Sequence, residues 1–171
     1  RAAPKSTQVD LAFVLAIDVS ASVEASEYRL QNQGLARALA SQEVINVIQQ
    51  CQLGRIAVTV VQWSGWRLQS TVVPWTVISN QATAAGVARA VASAPRQSSG
   101  WTSISAVIDY AISQFADAPV TAPRRVLDIS TDGINNHGDG IELSRQRAIA
   151  AGVTINGPAA ATQHVLITGD K

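Results

Sequence analysis

Leu11-Ala12-Phe13-Val14-Leu15-Ala16-Ile17 runs without a polar residue straight into Asp18-Val19-Ser20-Ala21-Ser22. A continuous apolar run of this length, closed by a polar cluster, is the pattern of a strand buried on both faces of a parallel sheet. The pattern recurs along the chain. Residues 56–61 form a second run, rich in β-branched side chains, residues 126–129 a third, and residues 153–155 a short fourth. Residues 71–75 also read as a strand, but Pro74 cannot donate to a ladder, which places that strand at an edge.

Helical patterns separate these runs. Ile104, Val107, Ile108, Ala111, Ile112 and Phe115 recur at the spacing of one helix face. Ala84, Val87, Ala88 and Val91 repeat it in an Ala-rich segment that Pro95 ends. Residues 24–39 and 142–151 read as two more helices, the latter closed by Gly152. The alternation predicts an α/β fold: a doubly wound, mostly parallel central sheet flanked by helices, with one antiparallel edge strand. We expect a flexible N-terminal segment at 1–8, one domain at 9–157 and an irregular C-terminal tail at 158–171.

Composition narrows the function. At 171 residues, 47% hydrophobic and 15% charged, the chain supports one sizeable core. Its 13 Lys and Arg against 12 Asp and Glu leave a net charge of +1 and form no basic stripe, which argues against a nucleic-acid partner. Its longest apolar run falls far short of the ~20 residues of a membrane span. Lys5 and Lys171, near the ends of the sequence, are the only lysines, so none is placed for a Schiff base or a P-loop. Cys51 stands alone, which excludes an internal disulfide, and no Lys or His beside it in sequence favours a thiolate, so a small buried residue is expected. The start Arg1-Ala2-Ala3-Pro4 and the lack of Met point to a processed, secreted or periplasmic chain.

In a doubly wound sheet, ligands sit beyond the carboxyl ends of the parallel strands. Asp18, Ser20 and Ser22 follow the first run, Thr102 precedes the best helix, and Asp132 follows the third run. These five oxygen donors, with no imidazole or thiolate among them, suit Mg²⁺, Mn²⁺ or Ca²⁺ and argue against zinc or copper. Each residue also has a plainer reading, Ser20 and Ser22 as helix caps and Asp132-Gly133 as a turn.

Together, Asp18-Val19-Ser20-Ala21-Ser22, Thr102 and Thr131-Asp132-Gly133 resemble the metal-ion-dependent adhesion site of von Willebrand factor type A (vWA) domains in order and spacing. The stretches Leu53–Thr59, Trp63–Gly65 and Val153–Gly157 are further similar to a bacterial branch of secreted vWA proteins. The resemblance implies a divalent cation, Mg²⁺ or else Mn²⁺ or Ca²⁺, held by the hydroxyls of Ser20, Ser22 and Thr102, with Asp18 and Asp132 acting directly or through water. With the carboxylates bound through water, the ion keeps an electrophilic open position that an Asp or Glu of a protein partner can fill. The expected function is therefore adhesion or assembly by a metal-dependent protein-binding module. Trp101 and Trp66, with Asn135 and Asn136, are candidates for the rim that touches the partner.

Two other classes compete. One is a metal-assisted hydrolase using the same ion, for which Glu24, His137 and Asp139 are the nearby candidate bases. The other is a structural subunit of an extracellular assembly, its site filled by a neighbour. No nucleophile elbow, zinc-protease or dinucleotide motif is present, so the expectation is a protein that is not an enzyme. Residues 132–143 fail as a calcium loop, with Ile134, His137 and Leu143 at its third, sixth and twelfth positions. Asp128, inside an apolar strand, is expected to be a hydrogen-bonded buried carboxylate. Residues 165–168 could form a last strand, but a parallel crossover takes about a dozen residues or more and only 156–164 precede it. An antiparallel edge or self-assembly through the tail is expected instead.

Overall fold

The computed structural model describes residues 6–97, 100–131 and 140–157. Among them strands and helices alternate: β1 (Thr7–Gln8), β2 (Ala12–Asp18), α1 (Ala25–Leu39), α2 (Gln42–Gln50), β3 (Ile56–Trp63), β4 (Gln69–Ile78), α3 (Gln81–Ser93), α4 (Ile104–Ala116), β5 (Val120–Thr121), β6 (Arg125–Ser130), α5 (Ile141–Ala150) and β7 (Val153–Asn156). Five strands form one sheet in the order β4-β3-β2-β6-β7, parallel except for the β3–β4 pair at one edge. This is the α/β architecture expected from the alternation.

Double burial explains the apolar runs. On β2, Leu15 and Ile17 pack against α1, α2 and α3, while Val14 and Ala16 pack against α4 and α5 on the other face. β3 divides in the same way, Val58 and Val60 to one side and Val61 and Trp63 to the other. Pro74 sits exposed in β4, where Val60 pairs with Val73 and Val58 with Thr76, so the register slips around it. An edge strand tolerates that slip because its outer side carries no ladder.

Several expectations need correction. Of the segment expected at 1–8, Thr7–Gln8 pair in parallel with Val120–Thr121, and Val9 after them is fully buried. Trp63, just beyond the run at 56–61, ends β3 with its ring in the core. Cys51 caps α2 half-buried rather than buried, its thiol donating to the Val47 carbonyl at 3.3 Å. Asp128 is half-buried, and its side chain makes no hydrogen bond among the described residues; burial among Leu15, Leu35 and neighbouring apolar groups pushes its carboxyl pKa up. Residues 165–168, with all of the tail at 158–171, lie outside the described residues.

Strand order decides where a ligand can sit. From β2 the chain passes over one face, through α1 and α2, to β3, whereas β6 leads to α5 on the opposite face and then to β7. The carboxyl ends of β2 and β6 are therefore the switch point of the sheet, where ligands of such folds sit.

Candidate metal centre

Asp18 is the last residue of β2, and at the switch point it is completely buried. One carboxylate oxygen, Oδ1, accepts the Ser20 backbone N–H at 2.7 Å, and the other, Oδ2, accepts the Thr131 hydroxyl, also at 2.7 Å. No ion pair among the described residues involves it. A carboxylate out of water without a cation is costly, so its surroundings fit a positive charge arriving from outside the chain.

The turn after Asp18 lifts two hydroxyls above it. Val23 N–H donates to the Ser20 carbonyl at 3.0 Å, which curls the backbone and leaves Ser20 Oγ and Ser22 Oγ 3.1 Å apart. Ser20 is buried and Ser22 exposed, so the pair leads from the floor to the surface. Neither serine caps α1. Glu24 is the N-cap residue, its backbone N–H donating to Glu27 at 2.9 Å. The helix-cap reading of the serines therefore fails.

Thr102 reaches the same rim by another route. Ala21 N–H donates to the Gly100 carbonyl at 3.1 Å, and Ser103 N–H to the Ser64 carbonyl at 2.7 Å, which draws the segment before α4 against the loops after β2 and β3. Ser103 caps α4, accepting from Ala106 N–H, so Thr102, itself buried, is not used as the cap. Trp101 beside it is 65% exposed and Trp66 49% exposed, the Arg67 guanidinium lying 4.2 Å from the centre of the Trp66 ring. Asp132, Asn135, Asn136, His137 and Asp139 lie outside the described residues.

Among the described residues the donor set is one of hydroxyls around the Asp18 carboxylate. Among the described residues no three His, Cys, Asp or Glu side chains cluster. Hard, mostly neutral oxygens of this kind fit a small divalent cation that keeps water ligands. Sequence reasoning quoted Thr131 only as part of the motif around Asp132 and gave it no role, whereas its hydroxyl holds Asp18 from 113 positions away. Its position directly before Asp132 at a strand end was the available signal.

The fold is that of von Willebrand factor type A domains. The chain belongs to the family described as "Protein of unknown function (DUF1194)", which matches residues 8–168. Among solved structures, proximal thread matrix protein 1 from the mussel byssus, with a zinc-occupied MIDAS motif, is similar at a TM-score of 0.69 and 18% identity, over 89% of this chain and 38% of that one. A von Willebrand factor type A protein from Catenulispora acidiphila gives 0.63 and 17% over 87% of this chain and 33% of that one. The pilus adhesin SpaC from Lactobacillus rhamnosus GG gives 0.63 and 13% over 89% and 25%. The chain thus spans well under half the length of each, and at these identities what they share with it is the fold. No curated protein matches the chain.

Proposed function

We propose that this domain is a metal-dependent protein-binding module that takes up one divalent cation, Mg²⁺ in preference to Mn²⁺ or Ca²⁺, and captures an acidic residue of a protein partner. The observation that carries the reading is Asp18: a fully buried carboxylate, held by two hydrogen-bond donors and in no ion pair among the described residues, beneath paired serine hydroxyls at the switch point of the sheet. Ser20, Ser22 and Thr102 would hold the ion through their hydroxyls, with Asp132 completing the set. Asp18, whose two oxygens are both engaged, would act through water and orient the Ser20 turn. A bound divalent cation supplies one electrophilic position for an incoming carboxylate.

The residues around the site support binding rather than catalysis. Binding needs only an open coordination position and a contact rim, and Trp101 and Trp66 offer exposed aromatic area beside Thr102. Asn135 and Asn136 would extend that rim. Glu24, a candidate base for a hydrolase, is the N-cap residue of α1, its carboxylate accepting from the Glu27 backbone N–H in a capping box. The module would work outside the cytoplasm, secreted or periplasmic, in adhesion or in assembly with copies of itself. No helix among the described residues is long and apolar enough to cross a membrane.

Isothermal titration with Mg²⁺ and with Mn²⁺ tests the reading. One site is expected for the unaltered chain and none for Ser20→Ala or Asp132→Ala. Equal binding by both variants would remove these residues as ligands and end the proposal.

A further inference from the structure

We propose that Arg96 is the positioning residue of the Val19–Val23 turn and that it sets which divalent cation the site prefers. The inference rests on the metal-binding reading above. Arg96 lies beyond the C-terminus of α3, 76 positions from Ser20, and no motif marks it. One guanidinium nitrogen, Nη2, lies 3.2 Å from the Val19 carbonyl, 3.0 Å from that of Ser20 and 2.6 Å from that of Val23. Three of the five carbonyls in the turn that carries Ser20 and Ser22 are thus gathered on one cationic donor.

Its own position is fixed from behind. Tyr28 donates its hydroxyl to the Ala94 carbonyl at 2.9 Å and accepts from Gln62 Nε2 at 2.7 Å. The same Gln62 amide donates to the Pro95 carbonyl at 3.1 Å and accepts the Gln97 backbone N–H at 2.8 Å. Residues 94–97 are therefore bolted to α1 and β3 on both sides of Arg96. Its guanidinium carbon lies 5.7 Å from the centre of the Tyr28 ring. A planar, permanently charged fork delivered from a rigid base suits the fixing of backbone oxygens.

The consequence for an ion follows from oxygen chemistry. Backbone carbonyls are ordinary calcium ligands, and calcium accepts six to eight oxygens in loose geometry, whereas magnesium demands a tight octahedron. Arg96 withholds the Val19, Ser20 and Val23 carbonyls from any ion, leaving that turn to present the Ser20 and Ser22 hydroxyls held 3.1 Å apart. Few donors in a stiff turn favour the smaller ion. Without Arg96 the turn slackens and the Val19 and Val23 carbonyls become available, which penalises Mg²⁺ and spares Ca²⁺.

Competition titrations of Mg²⁺ and Ca²⁺ against Mn²⁺, on the full chain and its Arg96→Met and Arg96→Lys variants, test this, with thermal unfolding in chelator run alongside. Arg96→Met is expected to lower Mg²⁺ affinity by about tenfold or more, the usual cost of losing a residue that orients a ligand. Ca²⁺ affinity should change by much less, shifting the Mg²⁺/Ca²⁺ ratio by a similar factor. Arg96→Lys, with three donors on its ammonium, should recover part of the ratio. If Arg96→Met does not fold, Arg96→Gln carries the same comparison. Equal losses for both ions would reduce Arg96 to a general structural role and overturn the inference. Unchanged or tighter Mg²⁺ binding would do the same, by showing that charge repulsion between Arg96 and the ion outweighs positioning. Absence of divalent binding by the unaltered chain would instead defeat the metal-binding reading itself, a result read before any variant is compared.

Discussion

Replacing Asp18 by Asn separates two roles that the buried carboxylate combines. Asn has the same shape. Its Oδ1 can keep the Ser20 N–H now held at 2.7 Å, and its Nδ2 can donate to the Thr131 hydroxyl, which rotates from donor to acceptor. Two charge-assisted hydrogen bonds, about 1.5–3 kcal/mol each, become neutral ones of about 1 kcal/mol each. In exchange, the several kcal/mol spent on burying a charge without a cation are no longer spent. The metal-free variant should therefore lie within about 1 kcal/mol of the unaltered chain, or above it. Asp18→Ala instead leaves the Ser20 N–H and the Thr131 hydroxyl without their shared acceptor, at a cost of about 2–4 kcal/mol. With metal the order changes. At 100 times its Kd, an ion that binds only the folded state adds about 2.7 kcal/mol. For a domain of this size that is roughly 5–11 °C of Tm, and Asp18→Asn should lose most of it. Scanning calorimetry of all three proteins, in chelator and in excess Mg²⁺, reads both effects. Metal-free Asp18→Asn melting as low as Asp18→Ala would refute the reasoning, because the charge would then already be compensated within the fold. A full Mg²⁺ increment in Asp18→Asn would refute it equally.

Asp128 titrates in a position where burial disfavours its charged form, so its pKa lies above 3.8 in the folded chain. The folded state then holds its proton more tightly than the unfolded one, and this group's contribution to stability falls as pH rises from about 3.8 through the raised value. Asp128→Asn should melt higher than the unaltered chain at pH 7, with the gap closing in acid; thermal melts across pH 3–7 check the sign, and a lower Tm at pH 7 would contradict it. Tyr28→Phe removes a donor to the Ala94 carbonyl and an acceptor for Gln62, and urea unfolding should show a loss of about 1–3 kcal/mol. Gly152, directly after α5, has φ +72°, so although a Cβ there meets open space, Gly152→Ala should cost about 1–2 kcal/mol through backbone strain, or roughly 2–8 °C by calorimetry.

Much of the fold is legible in sequence because periodicity is local. A strand covered on both faces must be apolar throughout, so residues 11–17 and 56–61 declare themselves, and an amphipathic helix must repeat at its own turn, as Ile104 to Phe115 does. Strand ends then follow from where polar residues begin, which put Asp18, Ser20 and Ser22 among the candidates, while Thr102 stood just before the best helix. The two-residue strands Thr7–Gln8 and Val120–Thr121 were invisible, being too short to show a period. Burial of single side chains was harder still. Trp63 ends its strand inside the core, while Cys51 and Asp128 remain half-buried, because each depends on what a distant helix happens to cover.

What tertiary structure alone decided is which polar atoms meet. Sequence determined that a buried strand ends in a carboxylate followed by two serines. Strand order and register determined that Thr131, at the end of the neighbouring parallel strand, holds that carboxylate, since Ile17 pairs with Ser130 and brings the next residues level. They also brought Arg96 onto the serine turn across more than 70 positions. Side-chain pattern records which residues leave water, and a hydrogen bond between distant segments leaves no such period in the chain, because its geometry exists only after the sheet has assembled.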